Sequence, residues 1–446
     1  MRRARPRRPN FVFLLADDLG WADLGCYGGR ARAAGLPWKS CSPALDRMAR
    51  GGLRFTQAYA NSPVCSPTRI ALMTGRWQHR LRGGADEPIR TRERGNPELG
   101  LPPAHPTLPG LLAQAGYATA LVGKWHLGFP PHFHPLRSGY QEFFGPLSGA
   151  VDYFTHRDST GAHDLWEGEE PAHAKGYLTD LLSARAVRFL RQHRREPFFL
   201  SVHYTAPHWP WETRRDRAEA RRLASLYHFD GGSVATYLAM IRHMDEGIGR
   251  ILAALRETGV ERDTLVVFTS DNGGERYSDT WPLAGKKMDL LEGGIRVPLI
   301  VRWPGTIPPG AQSAQVTITM DWVATILEAA GVDPHPDYPL DGASLLGVLR
   351  NPRRTFRREL FWKMRYREQK AMRAGRWKYL SVEGHEFLFD LARDLRERAN
   401  LARREPARLE AMRARHRAWE SALPSFPDAS FSVIATKADL ALPSMP

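Results

Sequence analysis

Two short apolar runs, each stopped abruptly by acidic and amide side chains, narrow the folds open to this chain more than any other feature. Residues 11–16 (FVFLLA) run into Asp17-Asp18, and residues 265–270 (LVVFTS) run into Asp271-Asn272-Gly273. Runs of this length suit buried strands and fall far short of the ~20 apolar residues a membrane-spanning helix needs. Similar runs recur at 118–123, 198–204 and 298–302, and helical patterns at 43–50, 67–74, 108–115, 178–192, 233–256 and 320–329 lie among them. Strands interleaved with helices in this way predict an α/β fold, a mostly parallel central sheet flanked by helices. Open sheets of this kind bind ligands beyond the carboxyl ends of their strands, so the polar groups that end several runs should share one crevice.

The chain has 446 residues, 42% of them hydrophobic, enough for one large core and a smaller one. Past residue 350 the texture changes to short aromatic-rich runs at 359–365, 369–382 and 386–390, which read as antiparallel strands, followed by a helix within 405–420. The expected division is an α/β catalytic domain over 9–350, a smaller C-terminal α+β subdomain with an antiparallel sheet over 351–422, and a tail over 423–446. No internal repeat is visible. The basic N-terminus MRRARPRRPN reads as a disordered arginine arm, because the apolar run behind it is too short for a signal peptide, ends in two aspartates and lacks a small-residue cleavage site. A cytoplasmic location is expected on that basis, and a periplasmic or secreted one if a leader is missing. Cys26, Cys41 and Cys65 are odd in number and spaced unlike metal ligands, which argues against a disulfide framework or structural zinc. The net charge of +15 is spread along the chain without a basic-aromatic recognition motif, so nucleic acid is not an expected partner and a general attraction for anions is.

The polar residues at strand ends carry the chemistry. Asp17, Asp18, Asp271 and Asn272 form an all-oxygen set that suits one hard divalent cation such as calcium or magnesium. Turn chemistry alone would explain either pair, but two pairs, each at a strand's end, favour the metal. Cys65 opens a helix in the segment CSPTR, where the helix N-terminus and Arg69, one turn on, favour an anion; a buried structural cysteine is the plainer alternative. Lys124 and His126 in GKWHLG follow a third strand and place a fixed cation beside a titratable ring. His208 in APHWP follows a fourth and would by itself be a packed loop histidine. Lys286 and Lys287 precede the glycine-rich turn EGGIRVP, where one lysine could reach the crevice and a solvated pair is the alternative.

Taken in order, NFVFLLADDLG, CSPTR, GKWHLG, APH, SDNGG and EGGIRVP resemble the type I sulfatase family, the formylglycine-dependent, bacterial arylsulfatase-like branch of the alkaline phosphatase superfamily. The likeness runs from residue 10 to about residue 401. It implies that a separate formylglycine-generating enzyme oxidises Cys65 to Cα-formylglycine. It also implies that Asp17, Asp18, Asp271 and Asn272, with the modified Cys65, hold one calcium, magnesium or manganese being the alternatives. Arg69 and Lys124 would then hold the formylglycine diol, and His126 would help eliminate sulfate. His208 and Lys287 would clamp the sulfate and protonate the leaving oxygen, Asp271 would act as base, and Ser148 in PLSGAVDYF would line the site.

The implied reaction is hydrolysis of a sulfuric ester, the substrate being a sulfated small molecule or a sulfated sugar. A phosphonate monoester or phosphodiester hydrolase built on the same formylglycine is the second reading, and an inactive anion-binding relative the third. A two-zinc phosphatase lacks its second set of ligands. Specificity is expected from loops at 83–98, 130–134, 152–170 and 209–229, where Tyr153, Trp166, Trp209 and Trp211 are placed to stack on an aryl group or a sugar. Nothing in the residues points to an oligomeric state.

Overall fold

The computed structural model describes residues 8–29, 40–84 and 87–432; most of the arginine arm and of the tail lies outside the described residues. The main sheet has eleven strands: β1 (Asn10–Ala16), β2 (Leu53–Tyr59), β3 (Ala118–Gly123), β4 (Glu142–Gly145), β5 (Trp166–Glu167), β6 (Glu170–Pro171), β7 (Phe198–His203), β8 (Thr264–Ser270), β9 (Arg296–Arg302), β10 (Ala311–Ser313) and β11 (Thr317–Ile318). Their order is β10-β2-β9-β8-β1-β7-β3-β4-β5-β6, with β11 beside β2. The centre is parallel, β1 pairing with both β7 and β8 and β3 with both β7 and β4. Strand β9 runs against both its neighbours.

Alternation along β1 shows why helices must cover both faces. Val12, Leu14 and Ala16 pack with Leu182, Phe189, Met244 and Ile248 of the Leu178–Gln192 and Val234–Glu257 helices. Phe11, Phe13 and Leu15 point the other way, into Ile70, Leu112, Trp322 and Ile326 of the Cys65–Thr74, Leu108–Gln114 and Asp321–Ala330 helices. Residues i and i+2 share a face of a strand, so a run apolar on both faces is a strand with two covered sides. Each Val, Leu or Phe among them, buried completely, contributes about 1.5–3 kcal/mol.

The expected α/β fold is the one observed, with local departures: the short β4, β5, β6, β10 and β11 at the two sides of the sheet are not among the expected strands. Strand β2 lies where the sequence predicts no strand: LRFTQAY carries polar side chains at Arg54, Thr56 and Gln57, and its register against β9 breaks between Phe55 and Ala58. A bulge of this kind destroys the two-residue period by which strands are recognised. The run at 369–382 is a hairpin, turning at Gly375 with φ 58°.

That hairpin belongs to a second, antiparallel sheet of β12 (Glu359–Met364), β13 (Gln369–Ala374), β14 (Trp377–Val382) and β15 (His385–Asp390). One face carries Met372, Tyr379 and Leu388 against Leu409 and Met412 of the Pro406–Ser421 helix. The other sets Trp362, Ala371 and Leu380 on Tyr59, Leu290 and Ile295. Lys378 is wholly buried at this junction, 3.1 Å from Glu292 and 2.8 Å from Glu397. Among the described residues no helix is long and apolar enough to cross a membrane.

Candidate active site

The four central strands, β8, β1, β7 and β3, lie side by side and deliver polar groups to one edge of the sheet. Asp17 and Asp18 follow β1, Asp271 and Asn272 follow β8, Lys124 follows β3, and His208 stands a turn beyond β7. Strand β2 leads to the same edge and into the helix that Cys65 begins. Because β9 is reversed, its beginning rather than its end lies here, and Lys287 enters from the segment that precedes it. Close approach is built in: a Cβ on Gly123, just before Lys124, would sit 1.9 Å from the His203 carbonyl oxygen, and one on Gly149 2.5 Å from the His126 ring. Asp18, His126 and Met288 all take up left-handed backbone, with φ of 63°, 57° and 75°. Strain of this kind in non-glycine residues concentrates where function over-determines the backbone.

Three carboxylates face three cations. Lys124 Nζ donates to Asp17 Oδ2 at 2.6 Å, Lys287 Nζ to Asp18 Oδ2 at 2.7 Å, and Arg69 Nη2 and Nε to Asp271 Oδ2 at 2.8 and 3.0 Å. Burial, with Asp271 next to it, pushes the Asp17 carboxyl up to about 7 even against Lys124 and Arg69. Burial acts on Asp18 in the same direction, but Lys287, by its charge and its hydrogen bond, outweighs it and holds that carboxyl well below the usual range. The thiol of Cys65 donates to Asp17 Oδ1 at 3.6 Å. Burial pushes this thiol far up although Lys124 and Lys287 pull it down, so an unmodified Cys65 carries no thiolate at neutral pH. A nucleophilic cysteine needs the opposite shift.

The histidines are oriented by backbone carbonyls. His126 Nε2 donates to the Ile89 carbonyl at 2.8 Å, which leaves Nδ1 buried and without a partner. His208 Nδ1 donates to the Trp209 carbonyl at 2.8 Å and turns Nε2 to within 3.5 Å of Asp18 Oδ2. Burial keeps both rings neutral, with Lys124 adding to the effect at His126 and Lys287 at His208.

Ten of the eleven predicted site residues therefore meet in one cluster, and Ser148 does not. Its hydroxyl donates to the Ala150 carbonyl within its own turn, and it is Gly149 and Ala150 that line the cavity above Cys65. That cavity measures about 460 Å³. Of the lysine pair, Lys286 is exposed while Lys287 reaches the cluster. Two neighbours escaped the sequence. Glu275 lies 3.9 Å from Lys287 Nζ, and buried His203 stands 3.5 Å from Arg69 Nη1. The position of Glu275 just past SDNGG was the available signal for the first; His203, inside an apolar run, offered none.

A hard cation fits this donor set. Asn272 Oδ1 is buried without a partner, the side chain's nitrogen being used by Asp18 Oδ1 at 2.7 Å. Asp17, Asp18, Cys65 and His208 each bring a ligand atom within 4.8 Å of the others. An unpaired amide oxygen beside carboxylates of which burial disfavours the charge is what a divalent ion would satisfy.

The profile of the sulfatase family matches residues 9–332. The chain belongs to the sulfatase family. A second profile, that of the C-terminal region of N-sulphoglucosamine sulphohydrolase, matches residues 284–416 and so takes in both the Lys287 segment and the antiparallel sheet. Among curated proteins, N-acetylgalactosamine-6-sulfatase of Rattus norvegicus is 37% identical over 368 residues, 77% of this chain and 66% of that protein. Steryl-sulfatase of Mus musculus is 32% identical over 77% of this chain and 65% of its own length, so the chain spans just under two thirds of these relatives. Among solved structures, Ps i-CgsB in complex with k-i-k-neocarrahexaose superposes with a TM-score of 0.80 at 28% identity, covering 94% of each chain.

Proposed function

We propose that this member of the sulfatase family hydrolyses a sulfate monoester, with Cα-formylglycine made from Cys65 as its nucleophile and calcium as its resident cation. The observation that carries the reading is the placement of Cys65. It is buried at the base of the cavity, its thiol held protonated, between the Lys124–Asp17 and Lys287–Asp18 pairs. Formylglycine, once hydrated, supplies two hydroxyls on one carbon, one to attack sulfur and one whose collapse to the aldehyde expels sulfate, which neither serine nor cysteine offers. Asp17, Asp18, Asp271 and Asn272, with residue 65, would hold the calcium, which supplies positive charge for the sulfate oxygens.

The chain's own side chains do the rest. Lys124 and Lys287 bring two fixed ammonium groups to the oxygens on which charge gathers. Arg69 donates through Nη1 to the Lys124 carbonyl at 3.1 Å and anchors Asp271, so it fixes two members of the site from beneath. Asp17, in contact with residue 65, and Asp271 are the carboxylates placed to take the nucleophile's proton. The Lys287 ammonium faces the cluster from the cavity side, beside His208, and is placed to deliver a proton to the departing alkoxide as the sulfur–oxygen bond breaks. The free Nδ1 of buried His126 is an acceptor for the proton released when sulfate leaves.

Mass spectrometry of the peptide containing residue 65, combined with release of sulfate from 4-nitrocatechol sulfate, tests the reading. Active protein is expected to carry the aldehyde; full activity in protein bearing only the thiol would sink it. A higher kcat/KM on an aryl phosphonate than on the aryl sulfate would move the assignment to the phosphonate hydrolases.

A further inference from the structure

Large apolar side chains exposed to solvent are confined, among the described residues, to one stretch: Tyr227, Phe229, Val234 and Leu238. Two of them continue a row of rings that begins inside the candidate active site. His208 lies 4.1 Å from Trp209 between ring centroids, Trp209 4.6 Å from Tyr227, and Tyr227 5.3 Å from Phe229, the last pair stacked at 16°. Trp209 and Tyr227 line the cavity above Cys65, and Phe229 extends the row outside it. Tyr227 is 42% and Phe229 52% exposed, whereas His228 between them is 2% exposed.

The exposure is held in place from behind. His228 Nδ1 accepts the Trp211 N–H at 3.2 Å, Tyr277 donates its hydroxyl to the Gly231 carbonyl at 3.0 Å, and Arg276 donates to the His228 and Phe229 carbonyls while its guanidinium lies 4.4 Å over the Trp211 ring. A segment pinned by its backbone with its rings turned outward is a surface kept for contact, because exposed aromatic area at the mouth of a cavity forgoes burial unless something covers it.

The rest of the lining indicates what covers it. Arg90, Thr91, Arg92, Ser159, Thr160 and Glu275 also bound the cavity, so a molecule lying on the rings has hydrogen-bonding groups around its edge. A pyranose has an apolar C–H face and a rim of hydroxyls and matches both. A sterol or simple aryl group matches only the rings and offers few groups to bond the polar side chains around them.

We propose that Trp209, Tyr227 and Phe229 form a leaving-group platform on which the sugar next to the sulfated unit stacks. The substrate class would then be sulfated oligosaccharides of two or more rings. This rests on the sulfatase reading above, which supplies the cleavage, while the platform is a statement about binding.

The test uses protein whose residue 65 has been converted, with 4-nitrophenyl sulfate and a panel of sulfated di- to hexasaccharides of the carrageenan and glycosaminoglycan types as probes. For the Tyr227→Ala/Phe229→Ala variant, the ratio of kcat/KM on the best oligosaccharide to that on the aryl sulfate is expected to fall about tenfold or more, mainly through KM, as the loss of two ring contacts implies. Tyr227→Phe/Phe229→Tyr is expected to restore the ratio. Calorimetry of the same oligosaccharide on Cys65→Ala protein reads binding without turnover, and the double alanine variant in that background should weaken Kd by a similar factor. An unchanged ratio and Kd would overturn the proposal, as would wild-type protein that cleaves the aryl sulfate and leaves every oligosaccharide intact. A proportionate loss on both substrates would also overturn it, thermal unfolding showing whether the variant is folded. Failure of wild-type protein to release sulfate from any probe counts against the sulfatase reading, and the calorimetry then decides the platform by itself.

Discussion

Gln369, on β13 of the second sheet, donates its side-chain amide to the Met288 carbonyl at 2.8 Å and accepts the Leu290 N–H through Oε1 at 2.9 Å. It thereby grips the backbone on both sides of Asp289, two residues beyond Lys287. The same segment is stitched to the main sheet from the other side, Lys287 N–H donating to the Gly274 carbonyl at 2.9 Å and Met288 N–H to the Pro63 carbonyl at 3.0 Å. Met288, left-handed, sits at the crossing of these restraints. The antiparallel sheet therefore supplies no group to the cluster around Cys65, yet it fixes the segment from which Lys287 reaches Asp18.

Replacing Gln369 tests that arrangement. Gln369→Ala leaves the Leu290 N–H and the Met288 carbonyl without partners inside the protein, a cost of about 1–3 kcal/mol for each buried group left unpaired. Sulfate release is expected to fall about tenfold, a loss of about 1.4 kcal/mol in transition-state stabilisation. Gln369→Glu keeps the acceptor for Leu290 and should recover part of the loss. Unaltered kinetics in Gln369→Ala, checked on folded protein, would show that Lys287 is held from the main sheet alone.

Arg69 presents the sharper structural test, because its guanidinium is buried between Asp271 at 2.8 Å and Asp17 at 3.8 Å. Arg69→Ala would leave two buried carboxylates facing each other with one fewer cation, and breaking a buried pair costs about 3–5 kcal/mol. Both the melting temperature and turnover are expected to drop. Arg69→Lys should restore part of the stability and less of the activity, since an ammonium cannot bond Asp271 and the Lys124 carbonyl with a planar fork. Equal recovery of both would mean that charge alone matters at this position.

The parts of this site that were legible are those where chain and chemistry coincide. Strands β1 and β8 are uninterrupted apolar runs buried on both faces, so the aspartates that end them mark the sheet's edge without any structure. Strand β2 was not legible, because Arg54, Thr56 and Gln57 with the bulge hide its period, although β2 is the strand that leads to Cys65. Between Lys286 and Lys287 the residues alone could not choose; only the tight turn around Gly285 and Met288 decides which lysine faces the cavity. Ser148 carried a family expectation that its own turn satisfies locally. The rings of Tyr227 and Phe229 look like ordinary loop residues until the contact of Tyr227 with Trp209, and of Phe229 with Tyr227, places them at the cavity mouth, a relation that no spacing encodes.

Removal of the cation should separate binding from architecture. Dialysis against a chelator is expected to abolish sulfate release and calcium to restore it. Unfolding followed against calcium should show stabilisation that grows with concentration, about 2.7 kcal/mol when calcium stands at a hundred times its Kd. Asn272→Ala removes the one amide oxygen that is buried without a partner in the cluster, so it should raise the calcium concentration needed for half-restoration about tenfold, the lower end of what altering a supporting group at a metal site costs. Chelated protein that keeps full activity and an unmoved melting curve would remove calcium from the proposed function.

Glu212 gives a prediction in pH that is independent of the cation. It is buried, accepting the Tyr153 N–H at 3.2 Å through Oε2, while its Oε1 has no partner. Burial, with the Asp152 carboxylate adding to it, pushes its pKa from 4.5 up to about 9. The folded protein therefore holds a proton here that the unfolded chain gives up at about pH 4.5. The stability that this proton confers is fully present below pH 4.5 and is lost progressively as pH rises toward 9. Glu212→Gln has the same shape and no charge to desolvate. Near pH 4 it should unfold like the parent, and at pH 9 it should be the more stable by roughly 1–3 kcal/mol, the range for relieving an unpaired buried polar group. Parallel stability curves for the two proteins from pH 4 to 9 would mean that Glu212 is already ionised and compensated at neutral pH.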